Sequence, residues 1–420
     1  MTRSTLPLDV FYHIIEELEG DLTTLRQIAL TNRSLLSCAR LSLYHSITVS
    51  NVGLRRADLL SRTLRAAPEL GALVKSLKIS RLMRVDPYDS GYTYGVPLTP
   101  ELLPFHLLPS LNTLYLHSLA LRQGSQGIDD LIAIVGSLPR LETLLCDILM
   151  QDRQDLELDV HPRPPHFPVL RELVFIDGDW SHWTFATQLL LSYPRSLDQL
   201  ERVTISFPSR SSADSLSWIP LIRAAGPHVR VVNIPITDTS MRVRYGTAEL
   251  SRIAELDAYR NDHTYVMDSL SHCPALQTLK LDYHSDRNTP TGTAQSDGPI
   301  EALCEVLERP SPPWPCLQHL ELWLVDQDGA MVAMSDTLCA RLASAVTDKA
   351  RYPRFTTLVL RIKTQCWNER ADVWYTSSLS SESDRAAVVE RWKRAFNAVG
   401  RAPGVVLDVA VSYASNRRGW

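Results

Sequence analysis

Apolar and polar residues alternate along this chain with two different periods. In LPLDVFYHIIEEL (residues 6–18), Val10, Phe11, Ile14, Ile15 and Leu18 recur three and four apart, the spacing of one helical face. Asp9 is placed to accept from the free N–H groups of the first turn, and Gly20 to end the helix. Asp21 caps a second helix carrying Leu22, Leu25, Ile28 and Ala29. A third, around RSLLSCARLSLY, carries Leu35, Leu36, Ala39 and Leu43, and HSITV then becomes extended. Three short helices cannot enclose all these side chains among themselves, because so small a unit has too little interior.

Beyond residue 49 the period shortens to two, in a form that repeats. LPSLNTLYL (108–116), LPRLETLLC (138–146), FPVLRELVF (167–175), LDQLERVTI (197–205), CPALQTLKL (273–281) and WPCLQHLEL (314–322) share the pattern apolar-Pro-x-Leu-x-x-Leu-x-apolar, with the Pro missing once. Weaker copies are VKSLKI (74–79), VRVVNI (229–234) and FTTLVL (355–360). The anchors Leu111, Leu141, Leu170, Leu200 and Val229 step by 30, 29, 30 and 29 residues, then the spacing widens to Leu276, Leu317 and Phe355. L-x-x-L-x-L predicts a short strand with alternate residues inward. Helical patterns lie between copies, at 127–138, 183–193, 212–226, 299–309 and 336–350. One strand and one helix per copy predicts an α/β solenoid, strands lining a concave side and helices a convex one. A doubly wound α/β sheet also suits the alternation, but leaves the recurring Pro-x-Leu-x-x-Leu unexplained. Residues 84–100 and 282–299 read as loops. Val389, Trp392, Phe396 and Val399 form a closing helical stripe, and GVVLDVAV (404–411) a last strand.

These residues bring two families into view. Leu6-Pro7-x-Asp9-Val10, Ile14-Ile15-x-x-Leu18, Asp21-Leu22-x-x-Leu25-x-x-Ile28-Ala29-Leu30 and Leu41-x-Leu43-Tyr44 resemble an F-box over residues 4–48, without the tryptophan many F-boxes carry in the third helix. The resemblance implies docking on the Skp-family adaptor of a cullin-RING ubiquitin ligase, through Leu6, Pro7, Val10, Ile14, Ile15, Leu18, Leu22 and Leu25. Residues 49–420 resemble helix-backed leucine-rich repeats lacking the asparagine ladder, which implies an irregular horseshoe closed by a C-terminal helix and strand. Together they imply the substrate-recognition subunit of an SCF-type ligase, a non-catalytic receptor for an unknown target protein. The alternative is a leucine-rich-repeat scaffold working outside any ligase.

Composition narrows the partners. With 43 basic and 47 acidic residues the net charge is −4, so nothing in the balance favours nucleic acid or an anionic membrane. No run of about 18 apolar residues is present to span a bilayer. Seven scattered cysteines without a C-x-x-C pair, and no signal-peptide pattern, point to reduced thiols in the cytoplasm or nucleus.

Chemistry is sparse. No G-x-G-x-x-G, P-loop, H-E-x-x-H or G-x-S-x-G occurs. HPRPPHFP (161–168) fits a loop better than a metal tract, and His272-Cys273 lacks the paired spacing of a zinc site. DQDG (326–329) lacks the remaining ligands of a calcium loop. No catalytic constellation, cofactor site or metal site is expected, although a hydrolase on an α/β sheet stays open as a rival.

The residues between the repeat leucines should face a partner. They include Tyr115, Glu172, Val174, Arg202, Lys280, Glu321, Trp323 and Arg361. Four bases (Lys78, Arg202, Lys280, Arg361) balance four acids (Asp147, Glu172, Asp282, Glu321), with aromatic and aliphatic anchors among them. That mixture suits a protein-binding surface rather than a phosphate site.

Overall fold

In the computed structural model, the residues described here are 8–18, 21–31, 35–50, 55–80, 98–120, 125–149, 167–176, 193–206, 219–237, 263–284, 298–325, 335–363, 365–368, 373–376 and 382–412. The expected loop at 84–97, the helical pattern at 183–192 and the DQDG turn lie outside them. The chain is α/β and divides into two compact units, Met1–Phe185 and Ala186–Trp420.

The first unit opens with α1 (Leu8–Glu17), α2 (Leu22–Thr31), α3 (Leu36–His45), β1 (Ser46–Ser50) and α4 (Arg55–Ala66). Asp9 lies in the first turn of α1, one residue inside the helix it was expected to cap. Asp21 caps α2 as expected: its carboxylate accepts from the amides of Thr23 and Thr24 at 3.1 and 3.0 Å and from the Thr24 hydroxyl at 2.6 Å. The strands β2 (Ser76–Ser80), β3 (Thr113–Ala120), β4 (Thr143–Leu149) and β5 (Glu172–Ile176) follow, with α5 (Ser125–Gly136) between β3 and β4. All run parallel in the order β1-β2-β3-β4-β5.

The second unit repeats the scheme. Its strands are β6 (Arg202–Ser206), β7 (Val231–Thr237), β8 (Thr278–His284), β9 (His319–Val325), β10 (Thr357–Lys363) and, after the small antiparallel hairpin β11 (Gln365–Asn368) and β12 (Val373–Thr376), β13 (Val406–Ser412). The order β6-β7-β8-β9-β10-β13 again follows the sequence without reversal, and every pair with a described register is parallel. A doubly wound sheet would reverse direction at a switch point; neither unit does. The helices α6 (Ile219–Ala225), α7 (His263–Leu270), α8 (Gly298–Leu307), α9 (Asp336–Thr347), α10 (Glu382–Ala395) and α11 (Asn397–Arg401) pack one on the next, α6 on α7, α7 on α8, α8 on α9, and α9 on α10 and α11.

One local motif generates the repeat. The anchor residue before each strand donates its amide to the carbonyl three residues back: Leu111 to Leu108, Leu141 to Leu138, Leu276 to Cys273, Leu317 to Trp314 and Phe355 to Tyr352, all at 3.0–3.1 Å. Proline in the second position of that turn has its φ already set and no N–H to leave unpaired. The next carbonyl then accepts two amides from the following strand. Asn112 takes those of Glu142 and Thr143, Gln277 those of Gln318 and His319, and Gln318 those of Thr356 and Thr357. Gly226-Pro227-His228-Val229 and Tyr352-Pro353-Arg354-Phe355 form the same turn, so the copies read as weak are full members. At Gly226 the repeats meet backbone to backbone, and an added Cβ would lie 2.4 Å from the His272 carbonyl oxygen.

Alternation within the strands is as expected. Leu77, Ile79, Leu114, Leu116, Val232, Ile234, Leu279, Leu281, Leu320, Leu322, Leu358 and Leu360 are buried, while most intervening residues are half-buried. Two helix-capping bonds tie successive repeats in the second unit: Trp314 Nε1 donates to Leu270 O at 2.8 Å and Tyr352 Oη to Leu307 O at 3.0 Å. Of the loop expected at 282–299, Asp282–His284 instead complete β8 and Gly298 and Pro299 begin α8; residues 285–297 lie outside the described residues. Of the closing stripe, Trp392, Phe396 and Val399 are buried, with the Trp392 and Phe396 rings stacked at 6.1 Å, whereas Val389 is half-buried and Val388 is the valine turned inward; β13 follows.

Candidate functional site

Two surfaces stand out, one in each unit. The first belongs to α1–α3. Ile15, Leu25 and Cys38 form its small interior, with Leu18 and Leu43 packed against them. Ile15 and Leu25 therefore hold the helices together instead of facing outward, and Leu18 is half-buried. Val10, Ile14 and Leu22 remain exposed, at 38%, 44% and 46%, and so do Leu30 and Leu41. Leu6 and Pro7 lie outside the described residues. Asp21, fully exposed, has its carboxyl held below the usual range, first by the Thr24 hydroxyl and then by the Thr24 amide.

The second surface is the outward face of β8, β9, β10 and β13. Strand alternation puts His319, Glu321 and Trp323 on one face of β9. Register sets Lys280 beside Glu321, Trp323 beside Arg361, and Val359 between Glu321 and Asp408. Glu321 is the centre. Its carboxylate takes Lys280 Nζ at 3.0 Å and the indole N–H of Trp323 at 2.9 Å, with His319 Nε2 and Arg361 Nε each at 3.7 Å. Arg361 also reaches Asp408 at 2.9 Å. Although it stands on the outward face, Glu321 is only 7% exposed, and Val359 beneath the cluster is buried too. The His319 imidazole first, then the Lys280 ammonium, draw the Glu321 carboxyl down to about 2 against the burial that raises it. The carboxylate stays ionised at any physiological pH, and the side chains around it are fixed by it.

Four of the eight residues expected on this face, Lys280, Glu321, Trp323 and Arg361, thus meet in one cluster. Arg202 is exposed, at the start of β6 in the row of Val231, Thr278 and His319. Tyr115 and Val174 belong to the other unit, in one row with Leu145 between them, and Glu172 lies in the row of Thr143. Asp408 was not among the expected site residues. The alternation of GVVLDVAV puts it on a defined face, but only the register with β10 shows that Arg361 is its neighbour.

No known protein family's model matches this chain, and neither does any curated protein.

Among the described residues no three His, Cys, Asp or Glu side chains converge as metal ligands, and no helix is long and apolar enough to cross a membrane. At His272-Cys273, the imidazole lies 3.1 Å from the Asp268 carbonyl. Burial pushes the Cys273 thiol up to about 12. Residues 161–166 of the histidine-bearing tract lie outside the described residues.

Proposed function

We propose that the chain is the substrate-recognition subunit of an SCF-type cullin-RING ubiquitin ligase. Residues 4–48 act as an F-box on a Skp-family adaptor, and the remainder, a leucine-rich-repeat-like solenoid, presents its strand face to a target protein. The observation that carries this is the concentration of exposed apolar residues on the N-terminal helices. Of the eight large hydrophobic residues exposed among the described residues, five fall between Val10 and Leu41. Such a concentration suits a surface that another protein covers. The Glu321 cluster supports the second half: it holds a tryptophan and an arginine in place, residue types on which binding energy concentrates.

In this role the chain makes and breaks no bonds. It holds a target lysine near a ubiquitin-charged enzyme supplied by other subunits, converting a slow encounter into a local one. The alternative, a scaffold outside any ligase, uses the same strand face without the adaptor.

The proteome of cells lacking the chain separates them. A target should accumulate, fall again when the wild-type chain is restored, and stay high when the restored chain carries Ile14→Glu and Leu22→Glu. Both positions are exposed, so the variant keeps its fold. Equal rescue by both chains would favour the scaffold.

A further inference from the structure

The strand order of the second unit ends at β13, which among the described residues pairs with β10 alone. The pairing is unbroken over seven residues, from Thr357↔Val406 to Lys363↔Ser412. Val406 donates its amide to Thr356 O at 2.7 Å. By strand alternation, Val406, Asp408, Ala410 and Ser412 turn their backbone groups toward β10, and Leu407, Val409 and Val411 turn theirs away. Among the described residues, that leaves three donors and three acceptors along the outer edge.

Burial thins at the same place. Leu279, Leu320 and Leu358 are fully buried, yet Leu407, next in their row, is only half-buried; Val409 still closes the row of Leu281, Leu322 and Leu360, and on the opposite face Val406 is 60% exposed. Exposed edges normally carry a lysine, a proline or a bulge that prevents pairing. VLDVAVS has none of these, and its one charge, Asp408, is taken by Arg361.

We infer that β13 is a self-association edge whose occupant is a second copy of this chain, paired antiparallel about a two-fold axis at Val409. A two-fold axis sets identical strands antiparallel. With the axis at Val409, Leu407 faces Val411 of the other copy and Val409 faces itself, so the three outward donors of each strand meet the three acceptors of the other. Asp408 faces Ala410, so no like charges are opposed. The row that is left half-exposed at Leu407 continues into the second copy. One strand pair is small beside the roughly 1,600 Å² of a standard interface, so the dimer is concentration-dependent.

Sedimentation velocity of the full chain over about a hundredfold concentration range tests this. The wild-type average mass should rise toward twice the monomer value. Val411→Pro removes an outward donor and puts a ring against the incoming strand, and should stay monomeric throughout. A second pair of variants leaves the outward backbone intact. Residue 406 faces residue 412 of the other copy, so Val406→Glu with Ser412→Glu opposes like charges twice, and Val406→Glu with Ser412→Lys opposes unlike charges twice. The first should associate at least about tenfold more weakly than the second, with melting temperatures at the lowest concentration confirming that both fold. A wild-type chain that is monomeric throughout, association that survives Val411→Pro, or equal association of the two double variants would each overturn the inference. Adaptor binding resides in α1–α3 of the other unit, so failure here leaves that proposal standing.

Discussion

Glu321→Gln removes one buried charge and keeps the side chain's shape. In the native chain the carboxyl falls from 4.5 to about 2. Each tenfold change in proton affinity corresponds to about 1.4 kcal/mol, which sets a ceiling of roughly 3 kcal/mol on what ionisation contributes to folding. Lys280 and Arg361 are 38% and 28% exposed, so water resolvates them in part once the carboxylate is gone, and the expected loss at neutral pH is about 1–2 kcal/mol. The sign follows from the direction of the change. Because the folded chain binds this proton more weakly than the unfolded one, the contribution is complete above the ordinary value of 4.5 and fades as pH falls from there toward 2. Urea unfolding of both chains at a series of pH values should show a constant stability gap from neutral pH to about pH 5, closing below that. A gap that persists unchanged to about pH 3, or none at neutral pH, would refute the assignment of Glu321 as an ionised anchor of its neighbours.

Tyr352→Phe should lower stability by about 1–2 kcal/mol, because the Leu307 carbonyl loses its buried partner; a melting temperature within error of wild type would show that the bond between repeats carries no weight. Gly226→Ala forces a Cβ against the His272 carbonyl oxygen and should cost about 1–3 kcal/mol in the same assay. Leu279→Asp buries an unpaired charge in a fully buried row and should cost several kcal/mol, about 4 or more; an unshifted melt would mean the strand faces the other way.

Much of the repeat was legible because its cause is local. Pro-x-Leu-x-x-Leu encodes a turn that pairs an anchor amide with a carbonyl three residues back, and the strand beginning two residues after that anchor follows at every copy from Leu111 to Phe355. The copies at Val229 and Phe355 are hard to see in the sequence because neither anchor is a leucine; their prolines, Pro227 and Pro353, stand two residues before the anchor as in the other copies. The hairpin β11–β12 was missed, since Gln365–Asn368 and Val373–Thr376 are too short and too mixed for any period to emerge. α4 and α7 were missed too: RRADLLSRTLRA stands ahead of the first repeat copy, and HTYVMDSL is only eight residues long.

The candidate site divides the same way. Alternation gave the face on which His319, Glu321 and Trp323 stand, because side-chain direction along a strand is a two-residue rule. Which strands lie side by side, and in what register, is a tertiary property, so the convergence of Lys280, Arg361 and Asp408 on Glu321 emerged only from the structure. On the N-terminal helices, spacing identified the apolar residues but could not say which of them the chain keeps for its own interior. Ile15 and Leu25 are so kept; Val10, Ile14 and Leu22 are not.

That last division bears most directly on function. Calorimetric titration of the full-length chain with a purified Skp-family adaptor should show one-to-one binding, weakened at least about a hundredfold, or roughly 3 kcal/mol, by Ile14→Glu with Leu22→Glu at an unchanged melting temperature. Equal affinity of the two chains, or no binding by the wild type, would contradict the assignment of these exposed residues to an adaptor.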